Sequence, residues 1–337
     1  MRISIVIPAY NVGHAISRTL DVLLRQDIGL HEMEIIVVDD GSTDDTAEQV
    51  RRFPVIYIHQ QNAGAAAARN TGFAAATGDL VVFIDADCEP KGATLRSIIE
   101  ALEREPAALV GGIYAPAAGM PVVEGAINEE IRYRHLRGPE QVQHIGGFCM
   151  AMRCDQMREI GGFDGKCDRS EDLEMSYRAV SKGHPLRALK QAVFMHRHPR
   201  TLRSWLKDQY RKARGRTHDA LARTSVKGSD GYVGHRDWAS LLLAMVSAAA
   251  VPFVWHAIGR RLLVGGVVLS MLLQLPLAVF AIRDTGDWRQ IVLLPMQVLR
   301  GFAWAAGALV EVIATLRRRL AHPARPGDLA AEPQVRS

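Results

Sequence analysis

Two pairs of acidic residues, about 85 positions apart, have the side chains that metal-assisted chemistry requires. Asp85 and Asp87 directly follow an apolar run at 80–84, and Glu171 and Asp172 open a helix-like stretch. Two carboxylates at the end of a strand supply the hard oxygen ligands that a divalent cation takes. A separate carboxylate at the start of a helix can act as a general base. The combination suggests metal-assisted displacement on a phosphorylated substrate.

The elements that must position these carboxylates alternate between strand and helix. Short apolar runs predict buried strands, and helical spacing or an Ala-rich composition predicts the helices between them. This alternation predicts an α/β fold with a mainly parallel sheet and helices on both faces. The predicted strands lie at 3–7, 34–39, 55–58 and 80–84, and the predicted helices at 15–25, 63–76 and 94–104.

Ligands of such folds bind at the carboxyl ends of the strands. The side chains that follow the first two strands are therefore candidates as well, namely Pro8, Tyr10, Asp39 and Asp40. The stretch 111–147 has no readable pattern. Beyond it we predict a strand at 146–152, a turn at 161–164 and a last short strand at 193–195 that His196 ends.

The positive charge of the chain is concentrated in one segment. The 337 residues carry a net charge of +5, and eight Lys or Arg residues lie between Arg197 and Arg216 against one acid. The chain has no RNA- or DNA-binding motif and no stacking aromatic pattern, so we expect no nucleic-acid partner. A basic segment just ahead of the apolar region fits anionic membrane lipid better.

Cysteine usage and the N-terminus indicate a cytosolic catalytic part. The four cysteines have neither CxxC pairing nor zinc spacing, which favours reduced thiols. The sequence begins directly with a predicted strand and has no charged segment followed by a long apolar run, so we expect no signal peptide.

Taken together, the motifs resemble those of the family-2 inverting glycosyltransferases with a GT-A fold. The resemblance covers roughly residues 2–215. Each motif is short and weak alone, but six in the right order make a specific signal. The matching segments are SIVIPAYN (4–11), VVDDGSTD (37–44), NAG (62–64) with ARN (68–70), DAD (85–87), GGFD (161–164) and SEDL (170–173).

The resemblance implies a nucleotide-diphosphate sugar as donor and assigns residues to its pocket. Pro8, Tyr10 and Asp40 match positions that line the nucleobase and ribose, and Asp39 accompanies them. Arg69 matches the basic residue that reaches the nucleotide from the Ala-rich helix. The structural alternatives are plain turn chemistry for the two aspartates and a surface helix charge for the arginine.

The resemblance also implies a metal and a base. Asp85 and Asp87 match the DXD motif, in which Asp87 should bind Mg²⁺ or Mn²⁺ on the diphosphate and Asp85 the ribose or the metal's water shell. Asp172 matches the base that takes the proton of an acceptor hydroxyl in one inverting displacement, and Glu171 positions it or contacts the acceptor. Alone, these acids would be read as a strand end and as a helix turn favoured by the macrodipole.

Two histidines follow the last predicted strand, and one of them completes the metal or diphosphate site by resemblance. His196 directly ends the apolar run and is preferred to His198. The segment 209–211 resembles the basic segment after the catalytic core, but it lacks the Trp of the Q-x-x-R-W motif, which disfavours processive polymer synthesis. Four histidines are assigned no role: His135, His144, His184 and His218.

The C-terminal region contains long uncharged runs at 239–258 and 262–282. Each is long enough as a helix to cross a bilayer core of about 30 Å. A third run at 290–313 is interrupted by Arg300 and Glu311. It either spans with Arg300 facing protein or lies in the interface. A buried core hairpin is the alternative to membrane insertion.

We therefore predict a catalytic domain at 1–225, a membrane region at 239–316 and a disordered tail at 320–337. The positive-inside tendency favours two spans plus an interfacial or re-entrant helix. The catalytic domain would face the cytosol at the cytoplasmic membrane.

The expected function is a membrane-bound inverting glycosyltransferase with a lipid-linked or cell-envelope glycan precursor as acceptor. If the acceptor were a polyprenyl phosphate, its oxygen would already be anionic and Asp172 would matter less. A sugar-nucleotidyltransferase would need a Gly-rich, Arg-containing loop where this chain has 9–13. A non-catalytic membrane scaffold that binds nucleotide-sugar is the non-enzymatic alternative, and the complete set of carboxylates argues against it.

Overall fold

The computed structural model of the protein describes residues 1–165, 167, 171–222 and 234–321. Within them, nine strands form one sheet. The strands are β1 (Arg2–Ala9), β2 (Glu32–Asp39), β3 (Ile56–His59), β4 (Leu80–Ile84), β5 (Cys88–Pro90), β6 (Leu109–Tyr114), β7 (Gln141–Val142), β8 (Cys149–Arg153) and β9 (Leu186–His196).

Helices precede or follow most of these strands along the chain. The helices are α1 (Gly13–Leu24), α2 (Thr46–Val50), α3 (Ala65–Ala75), α4 (Thr94–Arg104), α5 (Val122–Arg137), α6 (Cys154–Ile160), α7 (Glu171–Ser181), α8 (Leu202–Ala222), α9 (His235–Ala250), α10 (Ala257–Thr285) and α11 (Leu293–Ala321).

The strand order is β3-β2-β1-β4-β8-β6-β9-β5, and β7 pairs with β9. The first four strands are parallel, as predicted, whereas β8 runs antiparallel to both of its neighbours. Ile84, at the carboxyl end of β4, consequently pairs with Cys149, at the start of β8. The loop that precedes β8 therefore lies beside the carboxyl end of β4.

Side chains that alternate along the central strands fill a hydrophobic core on each face of the sheet. Ile5 and Val37 pack in one core, and Val6 and Val38 pack in the other. All four side chains are fully buried. The continuous apolar runs of β1 and β2 follow from this burial on both faces.

The sequence left 111–147 without assigned elements, but the structure has β6 and the 16-residue helix α5 in this region. Seven consecutive residues of α5, Glu124 to Glu130, are buried. A helix that is buried all round shows no amphipathic periodicity, which explains why the pattern did not reveal it. The last strand also extends further than expected, since β9 has 11 residues.

The first predicted membrane span differs from the observed helices. The run 239–258 is divided, because α9 ends at Ala250 and a short 3₁₀ turn at Val251–Phe253 separates it from α10. Pro252 lies in that turn, where its missing N–H costs no helical hydrogen bond. The second run lies inside α10 and the third lies mainly inside α11.

Two described helical segments are long and apolar enough to cross a bilayer, Ala257–Thr285 and Trp288–Arg318. This is weak evidence of membrane association, since core helices of soluble proteins can pass the same test. The predicted tail begins at 320, but α11 continues to Ala321; the remaining tail lies outside the described residues.

The two charges that interrupt the third apolar run both face protein. Arg300 is 4% exposed and pairs with Glu130 of α5 and Asp237 of α9. Glu311 is equally buried, and its carboxylate lies 2.9 Å from Arg214 of α8. Helix α11 thus pairs with α5 and α9 through the buried Arg300 and with α8 through the buried carboxylate of Glu311.

Candidate active site

The carboxyl end of β4 is the centre of the candidate site. The Asp85 amide donates to the carbonyl of Phe148 at 3.2 Å, which holds the end of β4 against the loop before β8. The Asp85 carboxylate accepts a hydrogen bond from Arg69 Nη2 at 2.8 Å. The other guanidinium nitrogen, Nη1, donates to Glu171 at 2.8 Å. Arg69 therefore connects the end of β4 to the start of α7.

Arg69 differs from its expected place as an open nucleotide ligand. It is 3% exposed, and its guanidinium lies 5.4 Å from the ring centroid of Phe163. Its Nη2 also donates to the carbonyl of Gly147 at 3.3 Å. These contacts assign Arg69 a structural part beneath Asp85 and Glu171, whereas direct contact with the nucleotide stays a prediction.

Asp87 and His196 form the candidate metal centre, since the His196 Nε2 lies 3.4 Å from Asp87 Oδ1. The two strands that carry them meet here, because Cys88 pairs with His196 across the sheet. Ligand atoms of Asp87, Cys88 and His196 lie within 4.8 Å of one another. Burial raises the pKa of the Cys88 thiol well above its usual value, which favours the protonated thiol.

A carboxylate and an imidazole suit Mn²⁺, and a cation of this kind keeps coordination sites for substrate phosphates.

The charges around the two aspartates differ. Burial and then the nearby charge of Asp87 raise the pKa of Asp85, although Arg69 opposes them. For Asp87, the hydrogen bond and charge of His196 outweigh burial and lower the pKa. Asp87 is thus held as an anion beside an imidazole, as a metal site requires.

Aromatic packing fixes the orientation of the His196 ring. Tyr114, at the end of β6, stacks on it with centroids 5.1 Å apart and planes within 6°. His198, the alternative ligand, lies edge-on to the same tyrosine, and its Nδ1 is 3.2 Å from the Nδ1 of His196. Burial lowers the pKa of His198 to about 3. The structure therefore brings both histidines to the site and points His196 at Asp87.

Asp172 lies in the first turn of α7, on the same edge of the sheet. Its carboxylate accepts from the amides of Gly147 at 2.9 Å and Leu173 at 2.8 Å. Burial alone would raise the pKa of Asp172, but His144 and the two amides together lower it to about 2. The side chain remains 24% exposed, so an ionised carboxylate is open to solvent at this edge.

His144 is a site residue that sequence analysis missed. Its Nε2 lies 3.3 Å from Asp172 Oδ2. The residue belongs to the segment 143–148, for which no periodic pattern exists, and its partner is 28 positions away. Only the nearby glycines at 146 and 147 hinted at a close approach of backbone. A Cβ at Gly147 would lie 3.0 Å from Arg69 and 3.5 Å from Asp172, so a larger residue would disturb both.

The candidates on the first two strands lie at the same sheet edge but are bound differently. Tyr10 is 51% exposed, as a stacking surface for a base would be. Asp39 accepts from Ser42 and Tyr57, at 2.8 and 2.7 Å, and is nearly buried. The pKa of Tyr57 rises to about 12 through burial and its bond to Asp39.

Asp40 holds the following loop in place. Its two oxygens accept from the amides of Ala63 and Gly64, at 2.9 and 2.8 Å, and Gln60 donates to it at 2.6 Å. Both Asp39 and Asp40 therefore have turn and loop roles, and nucleotide contact by them stays a prediction. Pro8 lies near the end of β1, directly beside Val38 of β2.

A family model described as Glycosyl transferase family 2 matches residues 4–161. The pre-mycofactocin glycosyltransferase of Mycobacterium tuberculosis strain H37Rv is 30% identical over 222 residues, which are 60% of this chain and 44% of the relative. The probable glycosyltransferase YdaM of Bacillus subtilis is 28% identical over 65% of this chain and 56% of the relative. The chain thus spans about half the length of these curated relatives.

A solved structure gives a fold-level likeness over most of the chain. The mannosyltransferase PcManGT from Pyrobaculum calidifontis, solved in complex with GDP-Man and Mn²⁺, superposes with a TM-score of 0.65. The superposition covers 92% of this chain and 87% of that protein at 21% identity. At this identity the likeness concerns the fold alone, and it confirms the expected α/β architecture.

Proposed function

We propose that this chain, whose residues 4–161 match the model of glycosyl transferase family 2, is a metal-dependent inverting glycosyltransferase of that family. It would move a sugar from a nucleotide-diphosphate donor to a hydroxyl of an acceptor. The observation that carries the proposal is the connection between the two acidic groups. Arg69 bonds Asp85 of the DXD motif on one side and Glu171, the neighbour of Asp172, on the other.

The proposed donor site lies along the carboxyl ends of β1, β2 and β4. Tyr10 would stack on the base, and Pro8, Asp39 and Asp40 would shape the nucleoside pocket. Asp87 and His196 would hold Mg²⁺ or Mn²⁺ against the diphosphate, with Asp85 toward the ribose or the metal's water shell. When bound, such a cation neutralises the charge that develops on the leaving diphosphate.

The proposed base is Asp172. As the acceptor oxygen forms its bond to the anomeric carbon, its O–H proton would pass to the Asp172 carboxylate. The bond between that carbon and the diphosphate oxygen breaks in the same displacement, and its electron pair leaves with the nucleoside diphosphate. A well-placed base of this kind contributes on the order of 10²–10⁴ in rate. Arg69 supports the step by holding Glu171 and Asp85 in register.

The proposed location is the cytosolic face of a membrane. The outer faces of α9, α10 and α11 carry many exposed apolar side chains, among them Leu242, Leu262, Leu272 and Leu309. Exposed apolar surface of this extent marks an interface with lipid or protein. The charges within α11 face protein instead, and the basic helix α8 packs along it.

A membrane-associated catalytic domain favours an acceptor that is itself at the membrane. We propose a lipid-linked or cell-envelope glycan precursor with a free hydroxyl. With a polyprenyl phosphate as acceptor, the attacking oxygen is already anionic, so replacement of Asp172 would have little effect on the rate. A non-catalytic scaffold would bind donor without turning it over.

The test is donor binding and slow donor hydrolysis by the full chain in detergent. UDP-, GDP- and dTDP-sugars are compared with Mn²⁺, with Mg²⁺ and with chelator, for the wild type and Asp87→Ala. We expect metal-dependent binding and hydrolysis of one donor, both lost in the variant. Asp21→Ala is the matched control, because Asp21 is exposed on α1 and pairs only locally with Arg25.

Two outcomes would contradict the proposal. A wild type that binds no donor with either metal is not a nucleotide-sugar transferase. Donor binding that is accompanied neither by hydrolysis nor by transfer of the sugar to a membrane extract would favour the scaffold alternative. Sedimentation of the expressed protein tests the location separately: recovery in the carbonate-washed membrane fraction is expected, and recovery in the soluble fraction would exclude stable membrane association.

A further inference from the structure

The segment 143–148, between β7 and β8, contacts both halves of the candidate site. Gly147 donates its amide to Asp172 and accepts from Arg69 at its carbonyl. Phe148 accepts from the amide of Asp85. A single short segment therefore carries backbone contacts to the DXD motif and to the proposed base.

The same segment is joined to α7 by two further contacts. The amide of Ile145 donates to the Ser176 hydroxyl at 3.2 Å, and that hydroxyl donates to the carbonyl of Asp172 at 2.7 Å. His144 lies 3.3 Å from the Asp172 carboxylate. Gly147, Ile145 and His144 thus all reach the first turns of the helix that carries Asp172.

Two backbone amides donate to the Asp172 carboxylate, and the side chain of His144 approaches it to 3.3 Å. A carboxylate that accepts from several directions loses rotational freedom, and base catalysis depends on orientation as well as on basicity. The side chain of His144 is 17% exposed, so its ring is largely shielded from solvent.

We propose that His144 is a positioning residue for the proposed base: its Nε2–H donates to Asp172 and aims the carboxylate at the acceptor oxygen. This inference rests on the proposed function, since it presupposes that Asp172 takes the acceptor proton. His144 itself exchanges no proton with substrate in this scheme. Its Nε2 must carry the hydrogen, because a carboxylate can only accept.

Other charged groups lie close to this pair. Arg69 approaches from α3, near Gly147, and Glu171 precedes Asp172 on α7. His135 of α5 is near enough to His144 for the charge of one to lower the pKa of the other. The test therefore uses the geometry of the hydrogen bond as its main variable, at a fixed pH of 7.5.

The variants are His144→Gln and His144→Asn in the full chain in detergent. The Gln amide can place a donor near the position of Nε2, whereas the shorter Asn amide cannot. Donor hydrolysis gives kcat and KM, and titration with the donor gives Kd. For H144N we expect kcat to fall on the order of 10- to 100-fold with donor Kd unchanged, and H144Q should recover most of the loss.

Two comparisons separate positioning from a merely structural effect. His184→Asn is the matched control, because His184 also lies 3.3 Å from a carboxylate, that of Glu159, and its side chain is 11% exposed. It follows the C-terminal end of α7, whereas Asp172 lies in the first turn of that helix. It should leave kcat unchanged. In an Asp172→Asn background, H144N should cause no further loss, since the two residues act as a unit.

Two outcomes would contradict the role of His144 and leave the proposed function standing. In both, the wild type hydrolyses donor, but either the kcat of H144N equals that of the wild type or the kcat of H144Q is no higher than that of H144N. The role of His144 is also contradicted when H144N lowers kcat equally in the Asp172→Asn background. The proposed function itself, by contrast, is contradicted when the wild type neither binds nor hydrolyses any donor. Melting temperatures within a few degrees of the wild type identify the variants that are fit for comparison.

Discussion

The guanidinium of Arg69 and the carboxylate of Asp85 lie 2.8 Å apart, and Arg69 is 3% exposed. The arginine is on α3 and the aspartate follows β4, so this pair fixes a helix against the end of a strand. Because Nη1 of the same guanidinium bonds Glu171, a single buried cation balances two site carboxylates. The site is thus held by a charge that is itself buried.

Replacement of this cation should damage both stability and activity. Arg69→Met leaves Asp85 and Glu171 without their counter-ion, and we expect a loss of about 3 kcal/mol in unfolding free energy. Arg69→Lys keeps the charge but not the planar fork, so it should be more stable than Arg69→Met and still lose at least about tenfold in kcat. Denaturant unfolding and donor hydrolysis measure the two effects.

Arg18→Lys provides the control for this pair of variants. Arg18 is 60% exposed and bonds a single carboxylate, Glu89, at 2.8 Å. A lysine can serve one partner, so stability and kcat should match the wild type. Equal losses for Arg18→Lys and Arg69→Lys would show that the bidentate contact has no special part.

Asp172→Asn should separate catalysis from donor binding. We expect kcat to fall by about 10²–10⁴ and donor Kd to stay within a factor of about two, because the carboxylate is proposed to act on the acceptor proton only. The amide nitrogen of asparagine can still form hydrogen bonds in this turn. A parallel loss of donor affinity would instead assign Asp172 to the donor site.

The same variant makes a prediction for stability against pH. The folded pKa of Asp172 is about 2, below its usual value of 3.8, so the ionised carboxylate stabilises the fold above about pH 4. The contribution is about 2 kcal/mol, and it is lost as pH falls from 4 to 2. Asp172→Asn should therefore be less stable at pH 7, and its difference from the wild type should close by pH 2.

Half-buried His135 should weaken the fold in mild acid. Burial, with the charges of His144 and Arg134, lowers its pKa to about 4 from 6.5. Between these values the unfolded chain binds a proton that the folded chain does not, so stability falls as pH drops from 6.5 to 4, by about 3 kcal/mol. His135→Phe, beside Tyr114 and Phe148, removes one titrating group and should reduce the slope of unfolding free energy against pH over this range, while His198, with a pKa of about 3, keeps its own contribution. An unchanged slope would contradict the assignment.

The parts of the site that the sequence predicted are those that lie at the ends of regular elements. Asp85 and Asp87 follow an apolar run, and Asp172 opens a helix, so period and position placed them, and the resemblance to family-2 motifs assigned their roles. His144 escaped because it is in an irregular segment, and its contact to Asp172 depends on how β8 enters the sheet. Antiparallel entry of a strand leaves no local signal in the chain.

Helix α5 and the burial of Arg69 were beyond sequence reasoning for a related reason. Glu129 and Glu130 are buried in α5. Their charges are matched by residues far along the chain, such as Arg300 for Glu130. Likewise, an arginine in an Ala-rich helix was expected to be a ligand or surface charge, because the partners that bury it come from two other elements.

The buried charges between α5 and the C-terminal helices should be essential to the fold. Arg134 and Arg300 both contact Glu130 and Asp237, and Gln297 donates to Glu130 at 2.8 Å. Arg300→Met removes one cation from a site where both acids are buried, and we expect the free energy of unfolding, measured in detergent, to fall by about 3 kcal/mol. Helix α5 also carries Glu124, which accepts a hydrogen bond from the His198 amide beside the proposed metal site. Because Arg300→Met loosens α5, we expect it to lower the affinity for Mn²⁺ as well.

A double variant tests whether charge balance causes this loss. Glu130→Gln combined with Arg300→Met removes one charge of each sign, so it should recover part of the stability that Arg300→Met alone loses. Arg25→Met is the surface control, since Arg25 is 77% exposed and its pair with Asp21 is solvated. Two results would show that the buried pair does not fix α11 to the catalytic domain. One is a melting temperature for Arg25→Met as low as that of Arg300→Met, and the other is a double variant that is less stable than Arg300→Met alone.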